Sequence, residues 1–164
     1  MVMRVPVVFA LSVMLVACGF QLRGEAQLPA VMDRTWLQYA DDSSGFVQNL
    51  TRHLRANGVE VIDQPDERAA TLQIVSERMR REPLTITGQA RVREFLLMFD
   101  VEFELRDGLG NVLIERERLQ LTRDYSFDEQ EILAAQREQE FLEADLRRAM
   151  TVRLLHRLEA AGES

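Results

Sequence analysis

The 164-residue chain contains no lysine, and all 20 of its basic residues are arginine, set against 27 acidic residues for a formal charge of −7. A Schiff-base lysine and a phosphate-loop lysine are excluded at once, and no glycine-rich phosphate loop is present. Cysteine occurs once, as Cys18, so a disulfide within the chain is excluded. The two histidines, His53 and His156, have no second metal ligand at helical spacing, and the chain carries no His-Glu-x-x-His and no Gly-x-Ser-x-Gly turn. An acidic balance argues against nucleic acid as a partner, because sequence-independent binding needs a clustered excess of positive charge. Glu138, Glu140, Glu143 and Asp145 follow a helical pattern beside Arg137, Arg147 and Arg148, where pairing at i to i+4 accounts for them. With no nucleophile, metal cluster or cofactor loop, the expectation is a binding or assembly protein: not an enzyme, with no metal and no cofactor.

What is present starts with a signal-peptide shape. Met1 to Arg4 supply one positive side chain, and Val5 to Val16 form an almost unbroken apolar run. About a dozen residues fall short of the roughly 20 that a spanning helix needs, and Pro6 sits in the first turn. The run closes on Leu15-Val16-Ala17-Cys18, which resembles the lipobox of bacterial lipoproteins. That resemblance implies a diacylglyceryl group on the Cys18 sulfur, cleavage before Cys18 and acylation of the new amino group. Each buried acyl methylene contributes about 0.8 kcal/mol, so two or more chains give stable attachment. Gly19 rather than Asp follows the cysteine, and in lipoproteins of this kind that pattern implies sorting to the outer membrane. Residues 1–17 are thus expected to be removed, residues 18–30 to form a lipidated tether, and residues 31–160 to form one domain.

The periodicities define the fold class. Arg34 to Tyr39 reads as a short strand. Asp41 to Ser44 offer capping oxygens to a helix whose Phe46, Val47, Leu50 and Leu54 share one face and which Asn57-Gly58 ends. Val59 to Ile62 is a short apolar piece, and Ala70 to Met79 a second strand. Pro83 to Gly88 reads as a turn region. From Phe95 to Leu105, Phe95, Leu97, Phe99, Val101, Phe103 and Leu105 alternate with residues that are mostly polar from Asp100 onward, within a strand expected over Arg91 to Arg106. Asp107-Gly108-Leu109-Gly110-Asn111 is a hairpin signal, and the partner strand, Val112 to Tyr125, slips in its alternation around Arg116, as a bulge would make it. After Asp128, Leu142, Leu146, Met150, Leu154 and Leu158 step by four, with Ala149 and Leu155 alongside. The order is strand, helix, three strands, helix (βαβββα). The expected fold is an α+β two-layer sandwich, with both helices packed on one face of a four-stranded sheet.

Arginines concentrate in three groups: Arg78, Arg80 and Arg81; Arg91 and Arg93; Arg116, Arg118 and Arg123. Guanidinium forks match phosphate and carboxylate bidentately, so such groups suit an anionic lipid headgroup. They equally suit pairing with the interspersed Glu77, Glu82, Glu94, Glu115 and Glu117 on a solvated sheet face. Phe95, Phe99 and Phe103 similarly suit either core packing or an exposed acyl-chain surface.

Four stretches, in order, resemble the LPS-assembly lipoprotein LptE family: Cys18-Gly19-Phe20-Gln21-Leu22-Arg23; Leu54-Arg55-Ala56-Asn57-Gly58-Val59-Glu60-Val61; the Gly88-Gln89 turn before the long strand; and Arg123-Asp124-Tyr125-Ser126-Phe127. The resemblance implies two helices on a four-stranded sheet and residence at the outer membrane through the lipid anchor. It further implies a non-enzymatic plug inside the β-barrel LptD that helps the barrel assemble and binds lipopolysaccharide on its way to the outer leaflet. Arg91, Arg93, Arg123 and Arg137 are the arginines nominated for lipopolysaccharide contact. A periplasm-facing lipoprotein of a lipid-transport ABC system would share the anchor and the small α+β domain, and a lipid-anchored hydrolase would need an acidic cleft.

Overall fold

The computed structural model describes residues 28–41, 43–86, 92–127 and 130–162. The element order is β1 (Arg34–Gln38), α1 (Gly45–Ala56), β2 (Glu60–Ile62), β3 (Ala70–Ile86), β4 (Val92–Arg106), β5 (Val112–Ser126) and α2 (Ile132–Gly162), with a short 3-10 turn at Ala30–Met32. The strands form one mixed sheet in the order β2-β1-β3-β4-β5. β1 runs parallel to β2 and to β3, while β3, β4 and β5 form an antiparallel meander.

The α+β class and the two-layer arrangement match the sequence expectation, but the sheet has five strands rather than four. The fifth is β2, within the apolar piece Val59 to Ile62. Three residues are too few to display a strand period, and the segment becomes a strand because α1 returns the chain alongside β1, where Arg34, Thr35 and Trp36 pair with Glu60, Val61 and Ile62. Gly58, at φ +85°, makes that return without a side-chain clash.

β3 also runs past its expected end at Met79, through Pro83, which pairs with Phe95. Its pairing with β1 stops at Gln73, so the remainder of β3 is a sheet edge, where a residue lacking an N–H is tolerated. Register shifts at Ile74/Ser76 and Pro83/Thr85 bulge the same strand. The slip around Arg116 is likewise a bulge: the β4–β5 register shifts between Phe103/Leu105, whose partners are Glu117 and Ile114.

The core lies between the sheet and the helices. Phe46, Leu50 and Leu54 of α1, Leu146, Met150, Leu154 and Leu158 of α2, and Leu97, Phe99, Val101, Phe103 and Leu105 of β4 are all buried. Phe46 meets Phe99 edge to face at 5.6 Å between ring centroids. Ser44 caps α1, its hydroxyl oxygen accepting from the Phe46 and Val47 amides and donating to Glu77 at 2.6 Å. At the β4–β5 hairpin, the Asp107 carboxylate accepts from the Leu109 and Asn111 amides and the Asn111 side chain, which holds its carboxyl below the usual range.

Candidate functional site

The antiparallel register carries three separate sequence segments to one end of the molecule. Pro83 pairs with Phe95, Phe95 with Tyr125, and Glu94 with Ser126. The first turns of α2 run back over these strand ends.

Inward-pointing residues of this end form a polar and aromatic cluster. The Phe95 and Tyr125 rings stack at 5.7 Å, and Phe127 meets Phe95 edge to face at 5.6 Å. The Arg81 guanidinium lies 4.4 Å from the Phe95 ring centroid. Arg81 also donates to Gln139 of α2 at 2.9 Å, and the Tyr125 hydroxyl donates to the same amide oxygen at 3.0 Å. One turn on, Gln139 donates to Glu143, which accepts from Arg147. Polar contacts thus tie α2 to the sheet near its start, and from Leu146 onward Leu146, Met150, Leu154 and Leu158 bury its apolar stripe, with Arg157 donating to Glu117 at 2.8 Å. A cavity of about 410 Å³ opens beside the cluster, lined by Glu94, Phe127, Ala134, Ala135, Glu138 and their neighbours.

Of the nominated residues, Cys18 and Arg91 lie outside the described residues, and for Arg93 only the strand position, next to Glu94, is described. Arg123 faces inward on β5. Its Nε and Nη2 donate to Asp145 of α2 at 3.2 and 3.0 Å, and Nη1 donates to the Thr122 carbonyl. Arg137 is exposed on α2. The register therefore brings the strand positions of Arg93 and Arg123 and the helical position of Arg137 to the same end, where Arg123 acts as a tie between sheet and helix.

Two of the three arginine groups of the sequence are divided by the fold, and the third, Arg91 and Arg93, lies outside the described side chains. Arg80 and Arg81 point to opposite faces. Arg80 and Arg118 belong to a charge lattice on the uncovered face, pairing with Asp100 at 2.8 Å and Glu102 at 2.9 Å, and Glu104 joins Arg106 and Arg116. Burial acts to raise the Asp100 carboxyl, but hydrogen bonds from Arg80 and Gln120 and the charges of Arg80 and Arg118 outweigh it and hold that carboxyl below the usual range. Arg81, Phe95, Tyr125 and Gln139 emerge as site residues that the sequence did not single out together. The one available signal was the strand alternation that sets Arg81 and Phe95 on the core side. His53 Nδ1 lies 2.8 Å from the Asn49 carbonyl and His156 Nδ1 lies 2.8 Å from Glu159, both contacts within their own helices. Among the described residues no helix is long and apolar enough to cross a membrane.

The fold is a small α+β sandwich in which the ends of β3, β4 and β5 meet the start of α2 in a polar and aromatic cluster. Residues 27–158 match the family model "LptE: Lipopolysaccharide-assembly". The chain belongs to the LptE family. It is 23% identical over 143 residues to the LPS-assembly lipoprotein LptE of Photorhabdus laumondii, covering 86% of this chain and 76% of that protein. With LptE of Yersinia pestis it shares 26% over 89 residues, 54% of this chain and 43% of the relative. Among solved structures, lipoprotein B of Nitrosomonas europaea superposes with a TM-score of 0.74 at 26% identity, covering 89% of this chain and 94% of that one. The rare lipoprotein B of Shewanella oneidensis gives 0.68 at 23%, covering 77% and 94%, which shows a shared fold. Family membership supports a role in lipopolysaccharide assembly at the Gram-negative outer membrane.

Proposed function

We propose that the mature chain begins at Cys18 after loss of residues 1–17, hangs from the outer membrane by its acylated cysteine, and docks as a non-enzymatic plug in the lumen of the LptD barrel. There it supports barrel assembly and presents its arginine-bearing end to lipopolysaccharide. The observation that carries this reading is the family match across residues 27–158, joined to a lipobox upstream of it. The chemistry of the tip supports it. Arg91 and Arg93 stand in the sequence at the start of β4, Arg123 borders the aromatic cluster and Arg137 is exposed on α2, and guanidinium forks suit phosphates beside acyl chains.

Affinity purification of the full-length lipoprotein from outer membranes tests the reading. Recovery of LptD is the expected result, and recovery of an ABC permease in its place would overturn it. Cys18→Ala should release the protein from membranes, and continued acylated membrane residence would remove the anchor.

A further inference from the structure

A second concave region lies away from the arginine-bearing end, and its origin is the shortness of β2. β2 stops at Ile62, opposite Trp36, while β1 continues to Gln38. On that side the sheet edge is notched at Leu37 to Tyr39. Two cavities flank the notch. One, of about 430 Å³, is lined by Tyr39, Gln48, Arg52, Arg55 and Asp63 among others, and the second, of about 460 Å³, by Trp36, Gln38, Tyr39 and Asp63 among others. Tyr39 and Asp63 belong to both, and Tyr39 is 37% exposed.

Around this notch the side-chain hydrogen bonds of α1 stay local: Gln48 donates to the Ser43 carbonyl at 3.4 Å and Thr51 to the Val47 carbonyl at 2.9 Å. Arg52 donates only to Asn49 of its own helix, at 3.2 Å. On the sheet, Arg34, Arg80, Arg106, Arg116, Arg118 and Arg123 are each paired with a carboxylate, whereas among the described residues Arg52, Arg55 and Asp63 make no ion pair. An exposed tyrosine ring, two guanidinium groups, an amide and a carboxylate converge on adjoining cavities of ligand size. An aromatic face suits the C–H face of a sugar ring, the amide and carboxylate suit hydroxyls, and the two arginines against one aspartate leave a net positive charge for an anionic substituent.

We propose that the notch around Tyr39 binds an acidic saccharide, seated on the Tyr39 ring and held through its carboxylate or phosphate by Arg52 and Arg55. This site is distinct from the arginine-bearing end. Gln38 pairs with Gln73, and Pro83 lies ten residues further along β3, about 30 Å at roughly 3.3 Å per residue. The proposal therefore stands or falls apart from the barrel-docking reading.

Trp36 is the chain's single tryptophan and lines one of the two cavities, so its emission reports on the notch. The full-length lipoprotein in detergent is titrated with deacylated lipopolysaccharide core oligosaccharide, with oligogalacturonate and with neutral maltooligosaccharide. Calorimetry on the same samples guards against a silent fluorophore. A saturable signal with either acidic ligand supports the site, and the arm that responds more strongly identifies the source of the saccharide. Tyr39→Ala and Arg55→Gln should each raise the dissociation constant about tenfold, the loss of one stacking or charge-assisted contact, while Arg116→Gln, on the uncovered sheet face, should leave it unchanged. Equal binding of the neutral sugar, absence of saturable binding in all three arms, or affinity unaltered by both notch variants would overturn the proposal.

Discussion

Arg80 Nη2 and the Asp100 carboxylate meet at 2.8 Å on the sheet face that neither helix covers, and Asp100 is only 4% exposed there. Gln120 donates to the other carboxylate oxygen from the neighbouring strand. A carboxylate is thus enclosed by side chains of the same face rather than by an opposing layer.

The lowered Asp100 pKa fixes the sign of a pH effect. A carboxyl depressed in the folded state contributes stability that is present above its unfolded value, about 3.9, and is lost as pH falls through the folded value, because the unfolded chain binds the proton first. Asp100→Asn is expected to cost on the order of 1–3 kcal/mol at neutral pH, the range for hydrogen bonds to charged groups. Urea midpoints measured from pH 7 to pH 3 should show the gap between wild type and variant narrowing below about pH 4.

The two faces of α2 should respond differently to truncation. Leu146 is fully buried, so Leu146→Ala removes core volume and should cost about 2–5 kcal/mol. Phe141, one turn earlier, is 63% exposed, and Phe141→Ala should fall within about 0.5 kcal/mol of wild type. Chemical denaturation of the pair checks the orientation of the helix.

Gly108 in the β4–β5 hairpin packs against the loop before β3. A Cβ there would stand 2.7 Å from the Glu67 carbonyl oxygen and 3.1 Å from the Arg68 carbonyl carbon, both backbone atoms with no rotamer to yield. Gly108→Ala should therefore lower the thermal midpoint by an amount corresponding to about 1–3 kcal/mol of overpacking.

At the proposed lipopolysaccharide end, Arg91→Glu combined with Arg93→Glu should weaken lipopolysaccharide binding by the full chain in detergent while the far-UV circular dichroism stays unchanged. Unaltered binding would remove both residues from the proposal. Arg123→Gln should lower stability by up to about 1 kcal/mol, since its half-exposed bond to Asp145 ties sheet to helix.

The elements that were legible in the sequence are those long enough to display a period. The alternation from Phe95 to Leu105 marked the core face of β4, and the four-residue steps from Leu142 to Leu158 marked the buried stripe of α2. β2 was not recognised as a strand because three residues carry no period and their pairing depends on a helix returning the chain. Pro83 read as a turn because a missing N–H excludes a central strand, whereas here it lies on an edge. The site was less legible for a different reason. Arg123 meets Asp145, Arg157 meets Glu117 and Arg81 meets Gln139 across 22, 40 and 58 residues, partners that only the folded register supplies.

The chain enters the described fold beside the end of α2: a Cβ added to Gly162 would lie 2.9 Å from Pro29, and Leu28 packs on the core. The proposed lipopolysaccharide end lies at the other terminus of the same helix. Thirty-one residues at about 1.5 Å each give α2 a length of about 46 Å, close to the roughly 40–45 Å of a whole bilayer with its headgroups. In the anchored form proposed above, α2 is a rigid spacer of membrane dimensions.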